Sequence, residues 1–481
     1  MAKAKAMSKQ TLVINPVTRI EGHAKITIQL DEQGKVSDAR FHVTQLRGFE
    51  KLCEGRPFYE MPSLMARICG ICPVSHLIAS AKACDAILAV RIPENAARLR
   101  TILNLAQIVQ SHALSFFHLS APDILLGMDS DPARRNVLGL LAKQPDIARD
   151  GIALRKFGQQ VIEGLAKERI HPSWVVPGGV NASLELAVRD RILAGLPEAK
   201  AIVHRALKLF KGVLDQFKEE IEHFGNAPSM YAGLVDASGK LQLYDGGIRF
   251  KDPEGKTVVD HVPARDYAKY IGEAVLPFSY LKAPYFKPLG YPAGVYRVGP
   301  LARLNVIKNC GTPEADAEFS EYHQRCGKIV ASSFHFHYAR LIETLYGLER
   351  MEVLLNHPAI LDRQVRAHAG VNSLEGVGVA EAPRGILIHH YKVNEQGAIT
   401  WANLIIATGH NNLAINRSVE QVARHFVDGK RLKEGMLNRV SAVVRAYDPC
   451  LSCSTHASGQ IPLRIQLLGA DGAVVDELKS A

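Results

Sequence analysis

Two Cys-x-x-Cys pairs stand near opposite ends of the chain. Cys69 and Cys72 lie in Arg67-Ile-Cys-Gly-Ile-Cys-Pro-Val-Ser-His76, and Cys450 and Cys453 in Asp448-Pro-Cys-Leu-Ser-Cys-Ser-Thr-His456. Each pair has a charged residue two positions before its first cysteine and a histidine shortly after its second. Four thiolates from two such frames can hold a soft transition metal, and a chain that uses them so must fold its two ends together. Other chemistries compete on spacing alone. A thioredoxin-type dithiol calls for a βαβ context that neither pair has. A zinc ribbon separates its pairs by about 15–20 residues, whereas 377 residues lie between Cys72 and Cys450. Iron–sulfur ligation uses a tighter run of cysteines. A structural metal and a redox-active metal both remain open. Gly70 permits close backbone approach or unusual dihedrals. His76 and His456 are placed to hydrogen-bond sulfur or to bind a second ion, although a single histidine is more often an ordinary satisfied polar residue.

Composition narrows the surroundings of this site. With 481 residues, 47% hydrophobic and 22% charged, the chain can bury a large core. A net charge of +10 without a basic, aromatic-interleaved stripe argues against nucleic-acid binding. No apolar run reaches the roughly 18 residues of a membrane span, and the lysine-rich first ten residues lack a secretory h-region. A cytoplasmic location follows as the default. Eight cysteines are too sparse for a disulfide framework; Cys53, Cys84, Cys310 and Cys326 read as small buried hydrophobes.

Alternation predicts strands over Ala24–Leu30 and Val36–Val43, joined by turn chemistry at residues 31–35. A helix is expected to start near Pro62-Ser63. Helical spacing dominates from Pro93 to Phe224, with long helices over Ala96–Phe117, Ile147–Leu165 and Leu186–Phe224, and a rigid turn cluster at residues 172–179. A β-rich insertion is predicted over Met230–Val262, one long helix over Glu314–Leu355, a strand pair over Ile386–Ile406 and a helix over Leu432–Arg445. The fold class is α+β, predominantly α-helical: a long-helix bundle core with small β modules near residues 11–46, 229–262 and 386–406, in one interleaved domain. Gly376-Val-Gly378 lacks the third glycine of a dinucleotide fingerprint.

The two cysteine frames, together with Val17-Thr-Arg-Ile-Glu-Gly-His23, Arg47-Gly-Phe-Glu50 and Pro383-Arg-Gly385, resemble the large subunit of nickel–iron hydrogenases. The motifs run in the family's order across essentially the whole chain, and the details at residues 41–45 and 54–58 look most like the cytoplasmic NAD-reducing, bidirectional branch. The resemblance implies that Cys69 and Cys450 are terminal nickel ligands, and that Cys72 and Cys453 bridge nickel to an iron carrying carbon monoxide and cyanide. It implies reversible heterolytic cleavage of dihydrogen, with the proton passing to the sulfur of Cys450 and then to Glu21. Arg384 corresponds to the arginine poised at the open metal position and Asp448 to its carboxylate partner, while Pro383, Arg384 and Thr408 fall where cyanides are hydrogen-bonded. His76 is expected against a cysteine sulfur. Glu50 and His456 match ligands of a magnesium ion, with a backbone carbonyl near Leu404. Read without the family, Glu21 is an ion-pair partner of Arg19, Glu50 of Arg47, and Arg384 a turn arginine.

Three further expectations come with the resemblance. Many relatives carry Asp-His where this chain has Ser111-His112, so a carboxylate that helps hold the arginine is missing, and Ala407 stands where many carry proline. The 25 residues 457–481, read as a hairpin around Ala470-Asp-Gly472, match a propeptide removed after nickel insertion, leaving a catalytic domain of residues 1–456. The expected partners are an iron–sulfur small subunit, diaphorase subunits binding flavin and NAD, a maturation endopeptidase and nickel-insertion factors. NAD and iron–sulfur clusters then reside only in those partners. Alternative functions are a hydrogen-sensing regulatory protein, a quinone-reductase subunit of the same fold and a structural zinc protein.

Overall fold

The computed structural model describes residues 10–429 and 432–455, and the backbone of residues 464–468 and 474–479. Its centre is the helix Glu94–Ala113, buried on nearly every side. Pro93, extended before it, ends the preceding loop, and Glu94 places negative charge in the first turn, where the helix dipole favours it. Three helices surround it: Pro73–Leu88, Pro145–Ala166 and Phe336–Leu355. Leu186–Val213 packs outside the last two. Instead of ending, the central helix widens into a π-helical stretch over Leu114–Ser120 and resumes as Ala121–Leu126. Such insertions recur where a functional site needs carbonyls turned outward.

The β modules flank this bundle. An antiparallel sheet of Gln10–Ile14, Ala24–Leu30 and Val36–Val43 packs on the helix Asn412–Phe426. Met230–Val235, Gly247–Lys251 and Thr257–Val262 form the expected insertion, joined in parallel by Tyr296–Arg297. A third sheet of Glu375–Ala382, Gly385–Val393 and Ile399–Ile405 lies directly against Pro73–Leu88. Gly376 and Gly378 make that approach possible: a Cβ at either would come within 2.2 or 1.9 Å of the carbonyl oxygens of Ala83 and Ala79. These glycines, considered above as part of a nucleotide fingerprint, instead seat a strand on a helix backbone.

Several expected boundaries move. Glu314–Leu355 is two helices, Pro313–Cys326 and Phe336–Leu355, because Gly327 takes φ 97° and ends the first. Leu186–Phe224 is broken after Val213 by a short 3-10 turn before Lys218–His223. Strands Gln10–Ile14 and Glu375–Ala382 add to the two modules expected around them. The helix Glu434–Tyr447 delivers the second cysteine pair, as expected, and strands Arg464–Leu468 and Val474–Lys479 pair antiparallel in the tail. No helix among the described residues is long and apolar enough to cross a membrane.

Candidate metal centre

The two cysteine frames meet in the core. The sulfurs of Cys69, Cys72, Cys450 and Cys453 all lie within 4.8 Å of one another, and all four side chains are buried. Cys69 Sγ is 3.4 Å from Cys450 Sγ, Cys72 Sγ is 3.6 Å from Cys453 Sγ, and Cys450 and Cys453 are 2.8 Å apart. None of these is a disulfide, whose bond is about 2.05 Å.

Each frame is fixed by its carbonyls and amides. Ile71 O accepts from Gln107 and Gln110 at 2.7 and 2.8 Å, Ile68 O from Arg47 at 2.8 Å, and Cys69 O lies 3.1 Å from His171 Nε2. The amides of Ile71 and Cys72 both donate to Cys69 Sγ at 3.2 Å, fixing the sulfur's position. Gly70 lies outside the left-handed region and has open space where a Cβ would be, so neither reason offered above for a glycine there holds. At the other frame Asp448 ends the helix in the left-handed conformation, φ 55°, turning the chain into the site. Cys450 N donates to Thr408 Oγ1 at 2.9 Å.

Electrostatics separate Cys72 from the four isolated cysteines. Hydrogen bonds from the three neighbouring cysteines draw Cys72 well below the ordinary thiol range, against its burial. Burial pushes Cys450 and Cys453 well above it. Within one buried cluster, hydrogen bonding among the sulfurs thus lowers Cys72 while burial raises Cys450 and Cys453. By contrast, burial holds Cys53 at about 12 and Cys326 at about 11, and raises Cys84 and Cys310 far above their usual range. Those four remain protonated thiols, although Cys326 is only partly buried.

The other expected residues fall into three groups. Arg384, Asp448 and Glu21 gather at the cysteines. Arg384 Nε donates to Asp448 O, and Nη2 lies 3.0 Å from Asp448 Oδ2. That last contact is a charge pair rather than a directed hydrogen bond, since both atoms lack a well-oriented partner. Burial opposes the charge on Arg384, but Asp448 and the thiols of Cys450, Cys72 and Cys69 outweigh it and hold the guanidinium protonated. Ser111 Oγ, at the position where a carboxylate was expected in relatives, is 3.3 Å from Arg384 Nη1. Glu21 does not pair with Arg19, which instead binds Asp123 and donates to Leu119 O of the π-helical stretch at 2.7 Å. Glu21 forms a parallel backbone bridge with Cys450 and accepts from Ser452 N at 3.0 Å through Oε2.

His76 sits at the start of a buried polar chain. Its Nδ1 is 3.1 Å from His389 Nε2, and His389 Nδ1 is 2.7 Å from the Tyr391 hydroxyl. Its Nε2 has no hydrogen-bond partner, and the imidazole contributes to lowering the Cys72 thiol. Glu50 does not pair with Arg47. Glu50 Oε1 accepts from Leu404 N at 2.9 Å and from Lys282 at 3.3 Å, and Lys282 also reaches Glu273 at 3.2 Å. Leu404 thus meets Glu50 through its amide. Burial raises Glu50, with Lys282 opposing. Glu50 and Glu273 thus share the single ammonium of Lys282. His456 lies outside the described residues.

Sequence reading missed the charges behind Arg384. Arg303 is fully buried and binds Glu343 and Glu381, and His112 Nε2 lies 2.9 Å from Glu343. The available signal was the interruption of the apolar run Ala339-Arg-Leu-Ile-Glu343 by two charges. Asp123, bound by Arg19 and Arg445 with Arg135 at 3.3 Å, was likewise unanticipated.

A soft, buried four-sulfur donor set excludes magnesium or calcium at the quartet itself and suits nickel, iron or zinc. A structural zinc site gives no role to the buried Arg384–Asp448 pair beside it. Comparison with known proteins agrees. The family described as nickel-dependent hydrogenase matches residues 47–136 and 237–456, and a HoxL-like family matches residues 11–46. The chain is 41% identical to the NAD-reducing hydrogenase HoxS subunit beta of Cupriavidus necator over 97% of this chain and 99% of that one. It is 43% identical to a vhu subunit of the F420-non-reducing hydrogenase of Methanocaldococcus jannaschii, over 86% and 98%. The solved structure of an NAD+-reducing NiFe-hydrogenase in the H2-reduced state superposes with a TM-score of 0.91 at 43% identity, over 94% of this chain and all of that one. The Ni-Fe-Se hydrogenase of D. vulgaris Hildenborough, at 23% identity and a TM-score of 0.78, shares the fold. With the four thiols assembled in one buried cluster and the family model matching most of the sequence, the chain belongs to the nickel-dependent hydrogenases, as the catalytic large subunit of a multi-subunit enzyme acting on dihydrogen.

Proposed function

We propose that the chain is the dihydrogen-activating subunit of an NAD-reducing hydrogenase. The observation that carries this reading is the buried cysteine quartet flanked by Arg384, Asp448 and Glu21. Cys69, Cys72, Cys450 and Cys453 would hold the nickel and the iron with its carbon monoxide and cyanide, Cys69 and Cys450 as ligands of nickel alone and Cys72 and Cys453 as ligands shared with iron. When bound, that group supplies the redox-active Lewis-acidic centre at which dihydrogen is split. The chain supplies the rest. Cys450 Sγ takes the proton and passes it to the Glu21 carboxylate, which Ser452 N–H orients and the backbone bridge keeps beside it. Arg384 keeps a fixed positive charge at the open side of the site, since a guanidinium does not titrate at working pH. Pro383, Arg384 and Thr408 line the diatomic ligands, and His76 steadies the Cys72 sulfur. Glu50, with the carbonyl near Leu404 and His456, holds magnesium.

The first of the relatives supports NAD as the acceptor. The Cupriavidus protein is NAD-reducing by name, while the Methanocaldococcus protein, of similar identity, is F420-non-reducing. Because Gly376-Val-Gly378 is not a dinucleotide fingerprint, NAD would bind a partner, reached through flavin-binding diaphorase subunits and an iron–sulfur small subunit in the cytoplasm. Residues 457–481 are a propeptide cut by a maturation endopeptidase after nickel-insertion factors have acted; the family match ending at residue 456 supports this.

Anaerobic co-purification tests the whole reading. About one nickel and one iron per chain, with NAD reduced under dihydrogen by the isolated complex, is the expected result. Zinc without nickel would remove the metal assignment, and a metal-loaded complex that reduces only iron–sulfur acceptors would remove the NAD assignment. Mass spectrometry of the active chain is expected to find His456 as the last residue; activity with Ala481 in place would remove the propeptide.

A further inference from the structure

Arg384 is held directly by little: one backbone carbonyl, one hydroxyl at 3.3 Å and one poorly directed carboxylate contact. Its backbone is held by much more. Arg303 Nη1 donates to Ala382 O at 3.0 Å and Nη2 to Pro383 O at 3.2 Å, the two carbonyls immediately before Arg384. The same guanidinium binds Glu343 through Nε and Nη2, both at 2.6 Å, and Glu381 through Nη1 at 2.7 Å. Glu381 is pinned in turn: Oε1 accepts from Leu234 N at 2.9 Å, and its carbonyl from Asn104 at 3.1 Å. Beneath Arg384 lies Gly299, φ 89°, where a Cβ would stand 2.7 Å from Arg384 O. Arg303, Glu343 and Glu381 are all 0% exposed. His112, next to the Ser111 that touches Arg384, closes the circuit on Glu343.

We propose that Arg303, braced by Glu343 and Glu381, is the positioning residue that fixes Arg384 beside the cysteine quartet, in place of a carboxylate at position 111. The inference rests on the reading of Arg384 as the cation facing the bound metals. Only a planar fork can satisfy two carboxylates and two consecutive carbonyls at once; an ammonium is a point charge with three donors. Removing the fork while keeping its charge therefore frees the Pro383–Arg384 segment without emptying the site.

Arg303→Lys in the intact complex is the direct test, with Arg100→Lys as a control for loss of a buried arginine. Arg100 is equally buried but binds Asp85 and the carbonyls of Val176 and Gly179, away from the quartet. The Arg303 variant is expected to retain nickel and iron, to shift the infrared bands of the iron's carbon monoxide and cyanide, and to lose about 100-fold in kcat, the cost of roughly 1 Å of misplacement. Its KM for dihydrogen should change by less than about twofold, as for an interaction made in the transition state. Arg100→Lys should lower Tm and leave the bands in place. Adding Ser111→Asp to Arg303→Lys gives Arg384 a direct carboxylate and should recover part of the kcat and the band positions. Unshifted bands with undiminished kcat in the metal-loaded Arg303 variant would overturn the proposal, as would equal losses in the control. If Arg303→Lys does not fold, Glu381→Gln is judged by the same criteria. Absence of nickel and iron from the wild-type complex would instead defeat the underlying reading of the site.

Discussion

Glu21 and Cys450 are neighbours across a parallel backbone bridge, with Leu451 N donating to Glu21 O at 3.1 Å and Glu21 N to Pro449 O at 3.4 Å. A residue near the start of the chain is thereby held in register with a cysteine near its end. Gly22, φ 87°, makes the approach possible, since a Cβ there would meet Leu451 Cβ at 2.7 Å. Glu21→Gln preserves shape and the Ser452 contact but cannot take a proton. Dihydrogen turnover should fall by about 10²–10⁴-fold, the usual share of a general base, with nickel and iron content unchanged. Turnover within tenfold of wild type would place the proton elsewhere.

Asp123 gathers two arginines by hydrogen bond, Arg19 two residues before Glu21 and Arg445 five before Cys450, with Asn438 as a further donor. Asp123→Asn leaves these buried cations uncompensated and should cost about 3–5 kcal/mol of stability, read as a fall in Tm. Burial alone would raise this carboxyl, but Arg445 and Arg19 prevail and hold it below its ordinary range. Its folded pKa is depressed, so its contribution is complete above the unfolded value of about 3.9 and is lost as pH falls through the folded one. The wild-type minus variant difference in Tm should therefore shrink below about pH 4.

Four buried histidines impose a second, higher acid limit. Burial depresses His112 and His335 to about 4 and His337 and His410 to about 3. Each binds a proton in the unfolded chain, near pH 6.5, that the folded chain refuses. The stability present above pH 6.5 should decline from there toward pH 4, by about 1.4 kcal/mol per pH unit for each such histidine. Calorimetry between pH 7 and 4.5 reads the slope; a flat Tm across that window would contradict it.

Gly378→Ala should destabilise the protein without touching the site. The added Cβ meets Ala79 O at 1.9 Å and Ala83 N at 2.5 Å, both backbone atoms of a helix that cannot yield. A loss of about 1–3 kcal/mol or more is expected, again visible in Tm. An unchanged Tm would mean that strand and helix separate more easily than their packing indicates.

Short-range patterns made the cysteine frames, the first antiparallel strands and most helices legible. Glu375–Ala382 escaped because it is buried on both faces at one end and carries two glycines, which erases alternation. The break after Cys326 was marked only by Gly327, a C-terminal glycine inside a continuing apolar pattern. The π-helical stretch changes hydrogen bonding without changing composition, so no residue announces it. The Arg303 network lies beyond local reading altogether, with its carboxylates 40 and 78 positions away along the chain. Arg19 and Arg47 were each paired above with the nearest acid in sequence, whereas the fold gives Arg19 to Asp123 and Arg47 to the Ile68 carbonyl.

The meeting of the two cysteine frames also sets a timetable. A ribosome releases Cys69 and Cys72 hundreds of residues before Cys450 and Cys453, yet all four side chains end in one closed interior. During synthesis the nascent chain carries only half of its donor set. The helix that delivers the other half, Glu434–Tyr447, packs on Asn412–Phe426 and is made only after the rest of the bundle. The four-sulfur donor set is therefore complete only once the stretch that follows Glu434–Tyr447 has been synthesised.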